Sequence, residues 1–124
     1  DQSLVVNEGW ATVDGKWRYV RADGSYATGW LKEGNSWYYL CGNGDMATGW
    51  LKLGGTWYYL RGSGAMATGW YSVGKTWYYS NGSGAMQANR WIGDYYVKSS
   101  GAMATSQWVS RYHVNASGRW DKTR

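Results

Sequence analysis

The sequence predicts an all-β solenoid of stacked β-hairpins, about six repeats long. Three observations predict it. The stretch from Gly49 to Thr68 is a 20-residue unit that recurs along most of the chain, with Gly-Trp at Gly9-Trp10, Gly29-Trp30, Gly49-Trp50 and Gly69-Trp70. A second tryptophan follows each of these after seven residues, at Trp17, Trp37, Trp57 and Trp77. A fixed period in this range marks a repeat architecture. The 124 residues also include 19 glycines and no proline. Glycines this frequent suit tight turns with positive φ and leave no 3.6-residue periodicity for a helix.

The elements follow in order. Residues 1–8 precede the first repeat, and Leu4, Val5 and Val6 read as a short leading strand, a remnant of an earlier unit or a linker. Residues 9–89 hold four 20-residue repeats. Within one unit, Gly-Trp-Leu-Lys is a first strand that ends at Gly54-Gly55 or Gly34-Asn35. Thr-Trp-Tyr-Tyr-Leu is a second strand, rich in β-favouring residues. Gly62-Ser63-Gly64 then turns the chain into the next unit. Residues 90–124 hold two shortened units of 17 residues, built on Trp91 and Trp108. A lone hairpin is marginal in water, so the hairpins are expected to stack and bury rings between neighbours.

Composition narrows the function classes. Trp 11, Tyr 12 and Phe 0 is a composition for rings with one wet end or a ligand to meet. No stretch approaches the length of a membrane span. The chain starts at Asp1 without a signal peptide and is expected to be a mature or excised piece of something longer. The net charge of +5 is scattered and reads as solubility or as attraction to a polyanion. Lys and Arg form no continuous track beside the rings, which argues against nucleic acid as a partner. Cys41 is the single cysteine, so a disulfide framework and a Cys-rich metal site are excluded. It reads as an exposed, incidental thiol. The carboxylates lie in turns and termini, and His113 is the only histidine, so neither acid–base pairs, a catalytic triad nor a metal cluster is supported. The chain reads as a binding module with no enzyme activity and no cofactor.

The aromatic columns carry the functional reading. Side chains alternate across a strand, so Trp57 and Tyr59 face one way and Tyr58 the other. Two tryptophans of one unit and the middle tyrosine of the next can form three walls of a box. Such a box suits a quaternary ammonium ion, each ring contributing about 0.5–2 kcal/mol. Three rings give roughly millimolar affinity or somewhat better, and several boxes gain by avidity. Two other readings stand beside it: rings that interlock as the core of the stack without a ligand, and rings that stack on a glycan.

The unit GWLKLGGTWYYLRGSGAMATGW resembles the cell-wall-binding, or choline-binding, repeat of Gram-positive surface proteins and cell-wall hydrolases. The likeness is close over residues 9–89 and looser beyond. It implies a left-handed superhelix whose gaps bind the choline of phosphocholine on cell-wall teichoic acids. It also implies a secreted, extracellular module attached non-covalently to the wall. Related repeats bind glucans or other glycans, so the ligand stays open between choline and carbohydrate. Carried over by column, the first site is Trp10, Trp17 and Tyr38, and the second Trp30, Trp37 and Tyr58. The third is Trp50, Trp57 and Tyr78, and the fourth Trp70, Trp77 and Tyr95. The middle tyrosine follows from the alternation; Tyr39, Tyr59 and Tyr79 are the alternative. Met46, Met66, Met86 and Met103 share one column and either floor the boxes or fill gaps between hairpins.

Departures from the repeat set expectations of their own. Arg18 replaces the middle tyrosine of the first repeat, where no complete unit precedes it. Asp94 stands at the second tryptophan column of the fifth unit, so Trp91 is expected to have no partner and no site. In the sixth unit Tyr112 and His113 replace the tyrosine pair, and Trp120 takes the methionine column. The last two units read as a C-terminal cap and as a surface for homodimerisation.

Overall fold

A computed structural model of the chain describes residues 7–124. The expected leading strand at Leu4, Val5 and Val6 lies outside the described residues. Among the described residues there is no helix. The strands are β1 (Gly9–Val13), β2 (Lys16–Val20), β3 (Gly29–Glu33), β4 (Ser36–Leu40), β5 (Gly49–Leu53), β6 (Thr56–Leu60), β7 (Gly69–Val73) and β8 (Thr76–Ser80). The shorter β9 (Arg90–Ile92), β10 (Tyr95–Val97), β11 (Gln107–Val109) and β12 (Tyr112–Val114) follow, and β13 (Trp120–Thr123) closes the chain. Successive strands pair as hairpins, and β13 adds to the last one as a third strand. That third strand is absent from the sequence reading, because a segment with one tryptophan and three polar residues carries no hydrophobic alternation.

Turn chemistry forms the hairpins. Asp14 and Gly15 at the first turn both have positive φ, 51° and 79°, and so do Gly54 and Gly55. Two-residue turns with that backbone match the right-handed twist of the flanking strands. Register then places the first tryptophan opposite the tyrosine two residues after the second, as in Trp10 with Tyr19, Trp30 with Tyr39 and Trp70 with Tyr79.

After each of the first four hairpins the chain folds back as a single bridge, pairing Val20 with Tyr26, Leu40 with Met46, Leu60 with Met66 and Ser80 with Met86. The same bridging amide reaches back one repeat further. Met46 N donates to Trp17 O at 2.8 Å, Met66 N to Trp37 O at 2.8 Å, Met86 N to Trp57 O at 2.9 Å and Met103 N to Trp77 O at 2.8 Å. Trp120 N does the same to Asp94 O at 2.7 Å. Neighbouring repeats are therefore linked by a backbone bond that recurs whichever side chains flank it.

Contacts group the chain into two compact units. The first runs to Leu51 and includes Tyr59–Met66; the second comprises Lys52–Tyr58 and Ala67–Arg124. In both, the fully buried column is not aromatic. It is the last residue of the second strand in every hairpin after the first: Leu40 and Leu60 in the first unit, Ser80, Val97 and Val114 in the second, all with no exposed surface. Small alanines, Ala27, Ala67 and Ala104, complete this core. The expectation that stacking buries the rings is corrected here. Trp17, Trp37, Trp57, Trp77, Trp108 and Trp120 are exposed, and Tyr71 alone among the described aromatics is buried. Aliphatic residues fill a thin gap between hairpins without a polar atom to satisfy, whereas an indole N–H or phenol needs a partner when buried.

One position shows that rule at work. Ser80 is the polar member of the buried column, and its hydroxyl lies 2.8 Å from the Tyr71 hydroxyl. Tyr71 occupies the column of Leu31 and Leu51, so the Leu–Leu combination of the second and third repeats becomes a Tyr–Ser pair here. Cys41 is free and half-buried rather than exposed, in a turn closed by Gly44 N donating to its carbonyl at 2.8 Å.

Candidate functional site

Period-two alternation sends Trp10 of β1 and Trp17 of β2 to one side of the first hairpin. The next hairpin supplies Tyr38 from β4, and the bridge after it supplies Met46. These four residues line one cavity of about 300 Å³, all within the first unit. Trp10 and Tyr38 meet edge to face, with ring centroids 4.9 Å apart and planes at 68°. Tyr19 braces Trp10 from its own hairpin at 5.3 Å. A hydrogen bond to the Glu33 carboxylate holds the Tyr19 phenol above the usual tyrosine range. Trp17 leaves 48% of its surface exposed, as a wall with an open face would.

The second unit repeats the arrangement with the residues of the corresponding columns. Trp70 of β7, Trp77 of β8, Tyr95 of β10 and Met103 line a cavity of about 310 Å³. Trp70 meets Tyr95 at 5.5 Å and 68°, and Tyr79 braces Trp70 at 5.1 Å. No carboxylate is among the residues lining either cavity.

The other two expected quartets draw residues from both units. Trp30, Trp37 and Met66 lie in the first unit and Tyr58 in the second; Trp50 lies in the first, and Trp57, Tyr78 and Met86 in the second. Within the first unit, Trp30 packs on Tyr39 at 5.1 Å and Trp50 on Tyr59 at 5.0 Å. These third aromatics, with Tyr79, thus brace the first tryptophan of their own repeat. Within the second unit, Lys52 Nζ stands 5.7 Å from the Trp57 ring centroid.

Contributors from one repeat further on are absent from the sequence reading. Gly62 and Ser63 complete the lining of the first cavity, and Ser117 that of the second. Gly64 shows how the turn comes so close. Its φ is +90°, and a Cβ there would collide with the Met46 thioether. Gly118 stands in the same relation to Met103, at φ +89°. The available signal is that glycine occupies this column in every unit, at Gly24, Gly44, Gly64, Gly84, Gly101 and Gly118.

The chain ends are built differently. Arg18 pairs with Asp45 at 3.0 Å and lies over the Tyr26 ring at 4.8 Å. Trp91 has ring partners after all, Tyr96 at 5.2 Å and Tyr112 at 5.6 Å, because Tyr112 continues the middle-tyrosine column. Asp94, in place of a second tryptophan, pairs with Arg119 at 3.4 Å. Trp108 is met by the chain's own cation, with the Arg124 guanidinium 4.5 Å from its ring centroid. His113 Nδ1 lies 2.7 Å from Asp121 Oδ1. Among the described residues no group of three or more His, Cys, Asp or Glu side chains could hold a metal ion.

Models of the choline-binding repeat match residues 8–49 and 47–91, and a second such model matches residues 85–120. The chain belongs to the choline-binding repeat family. Similar solved structures include CbpJ from Streptococcus pneumoniae TIGR4, 51% identical over 93% of this chain and 41% of that one, with a TM-score of 0.85. Choline binding protein F of Streptococcus pneumoniae, solved in complex with ipratropium, is 49% identical over 94% of this chain and 39% of its own, with a TM-score of 0.86. The modular autolysin LytC of the same species is 31% identical over 94% of this chain and 33% of its own, with a TM-score of 0.65. The chain thus spans about two fifths or less of the length of these structures. No curated protein gives a significant match. The fold class is the all-β hairpin solenoid of this repeat family, with about six hairpins.

Proposed function

We propose that the chain is a non-catalytic cell-wall-binding module that holds choline, as carried by phosphocholine on teichoic acids, in its aromatic boxes. The observation that carries this is the recurrence of one geometry in two places. Trp10, Trp17 and Tyr38 with Met46, and Trp70, Trp77 and Tyr95 with Met103, each wall a cavity with aromatic rings and no carboxylate. Ring faces attract an onium ion through their quadrupole, and apolar walls suit its methyl groups. The exposed second tryptophans favour this over a ligand-free stack, since the core is built from other residues. Ipratropium in the choline binding protein F complex is itself a quaternary ammonium compound. On this reading the module works extracellularly, attached to the wall without a covalent bond, and any catalysis would belong to another domain.

Titration of choline against tryptophan fluorescence tests it. A saturable change in the low-millimolar range is expected from about 0.5–2 kcal/mol per ring. No saturable change up to roughly 100 mM, far above that estimate, would sink choline binding. Retention on dextran with no response to choline would favour a glycan instead.

A further inference from the structure

Beside the box of the second unit lies a second, polar cavity of about 470 Å³ whose lining shares Trp77, Met103 and Ser117 with it. Lys75, from the β7–β8 turn, and Lys98, just after β10, both line this cavity, together with Thr76 and Thr105. Among the described residues neither ammonium has a carboxylate partner. No acidic side chain lines the cavity. The Ser117 hydroxyl is already committed, donating to Asn115 Oδ1 at 2.8 Å. Two lysines beside an onium box would repel a bare cation, and they match a ligand whose anion is tethered next to its onium.

We infer that this box is one half of a two-part site for a phosphocholine ester: the rings take the trimethylammonium group, and Lys75 and Lys98 take the phosphate. The inference rests on the choline reading above and narrows it. The phosphate lies two carbons from the onium nitrogen, so it leaves the rings and enters the adjoining cavity. Phosphate oxygens accept charge-assisted hydrogen bonds from ammonium groups.

The first unit supplies the comparison. At its box, Gly15 stands in the column of Lys75 and Cys41 in that of Lys98. Asp45 stands in the column of Ala102, bonded to Arg18 at 3.0 Å. Lys16 replaces Thr76 there, one position beyond the column of Lys75. One chain therefore carries a box with the lysine pair and a box without it.

The test is a set of NMR titrations of the whole chain, read at the indole N–H of Trp77 for one box and Trp17 for the other. The ligands are choline and phosphocholine at matched, low ionic strength. At Trp77, phosphocholine should bind about three- to ten-fold more tightly than choline, as two partly exposed charge pairs allow. At Trp17 no such preference is expected. Lys75→Gln with Lys98→Gln should abolish the preference while choline binding persists. Both changes spare the fold, because the backbone amide of Lys98, not its side chain, closes its turn by donating to Ala102 O at 2.9 Å. Equal preference at the two boxes, or a preference that survives both substitutions, overturns the inference and leaves the choline reading standing. Failure of choline itself to bind at either indole overturns the choline reading. Glycerophosphocholine and phosphatidylcholine vesicles separate a polymer-borne ester from a lipid headgroup. Lysine-dependent binding of the former without retention on the latter supports a polymer; lysine-dependent retention on vesicles overturns it.

Discussion

Met46 donates its backbone amide to the Trp17 carbonyl at 2.8 Å, across the gap between two hairpins. This bond joins the floor of a box to one of its walls through atoms that no side-chain substitution removes. It couples stacking to the site: where the linked residue is a tryptophan, docking of the repeats brings a wall and the floor of the box together.

Gly64 provides the first test of that coupling. Its φ of +90° and its contact with the Met46 thioether leave no room for a Cβ. Gly64→Ala should cost roughly 1–3 kcal/mol of stability, as a left-handed residue forced against a neighbour does. It should also weaken choline at the Trp10–Trp17–Tyr38 box more than at the Trp70–Trp77–Tyr95 box. Thermal unfolding and indole titrations read the two effects separately, and equal weakening at both boxes would contradict a local role for Met46.

The Tyr71–Ser80 pair tests the account of the core. Tyr71→Phe removes the 2.8 Å partner of a hydroxyl with no exposed surface. A loss of about 1–3 kcal/mol in denaturant unfolding is expected. Tyr71→Leu with Ser80→Leu restores the pair found at Leu31–Leu40 and Leu51–Leu60, and should recover most of that loss. A double variant less stable than Tyr71→Phe would show that the buried column is not interchangeable between repeats.

Trp10→Ala removes one of three rings from the first box. Choline should bind there roughly five- to thirty-fold more weakly, equivalent to about 1–2 kcal/mol for one ring. The other box shares no lining residue with it and should be unchanged. Weakening at Trp77 to the same degree would contradict separate boxes.

Much of the fold is legible in the residues themselves. Glycine pairs and the alternation of Trp37, Tyr38 and Tyr39 specify hairpins, and the same alternation sets Tyr38 against Trp10 and Tyr39 against Trp30. Less legible are features that depend on the spacing between repeats. The aliphatic column of Leu40, Leu60, Val97 and Val114 is hidden by the more numerous rings, although it, not they, is fully buried. Gly62 and Ser63 reach the first cavity from two hairpins away, a distance that strand periodicity cannot express. The third strand of the last sheet, β13, lacks an apolar alternation and is recruited by backbone pairing with β12. The Lys75–Lys98 cavity arises where a turn of one repeat meets a turn of the next, and neither turn is basic by itself.

The central claim is that rings of successive hairpins hold an onium ion between them. A crystal structure of the chain grown with choline tests it most directly. The account predicts trimethylammonium density inside both described boxes, against the faces of Trp10, Trp17 and Tyr38 and of Trp70, Trp77 and Tyr95. Choline bound elsewhere on the surface, with both boxes empty, would contradict it.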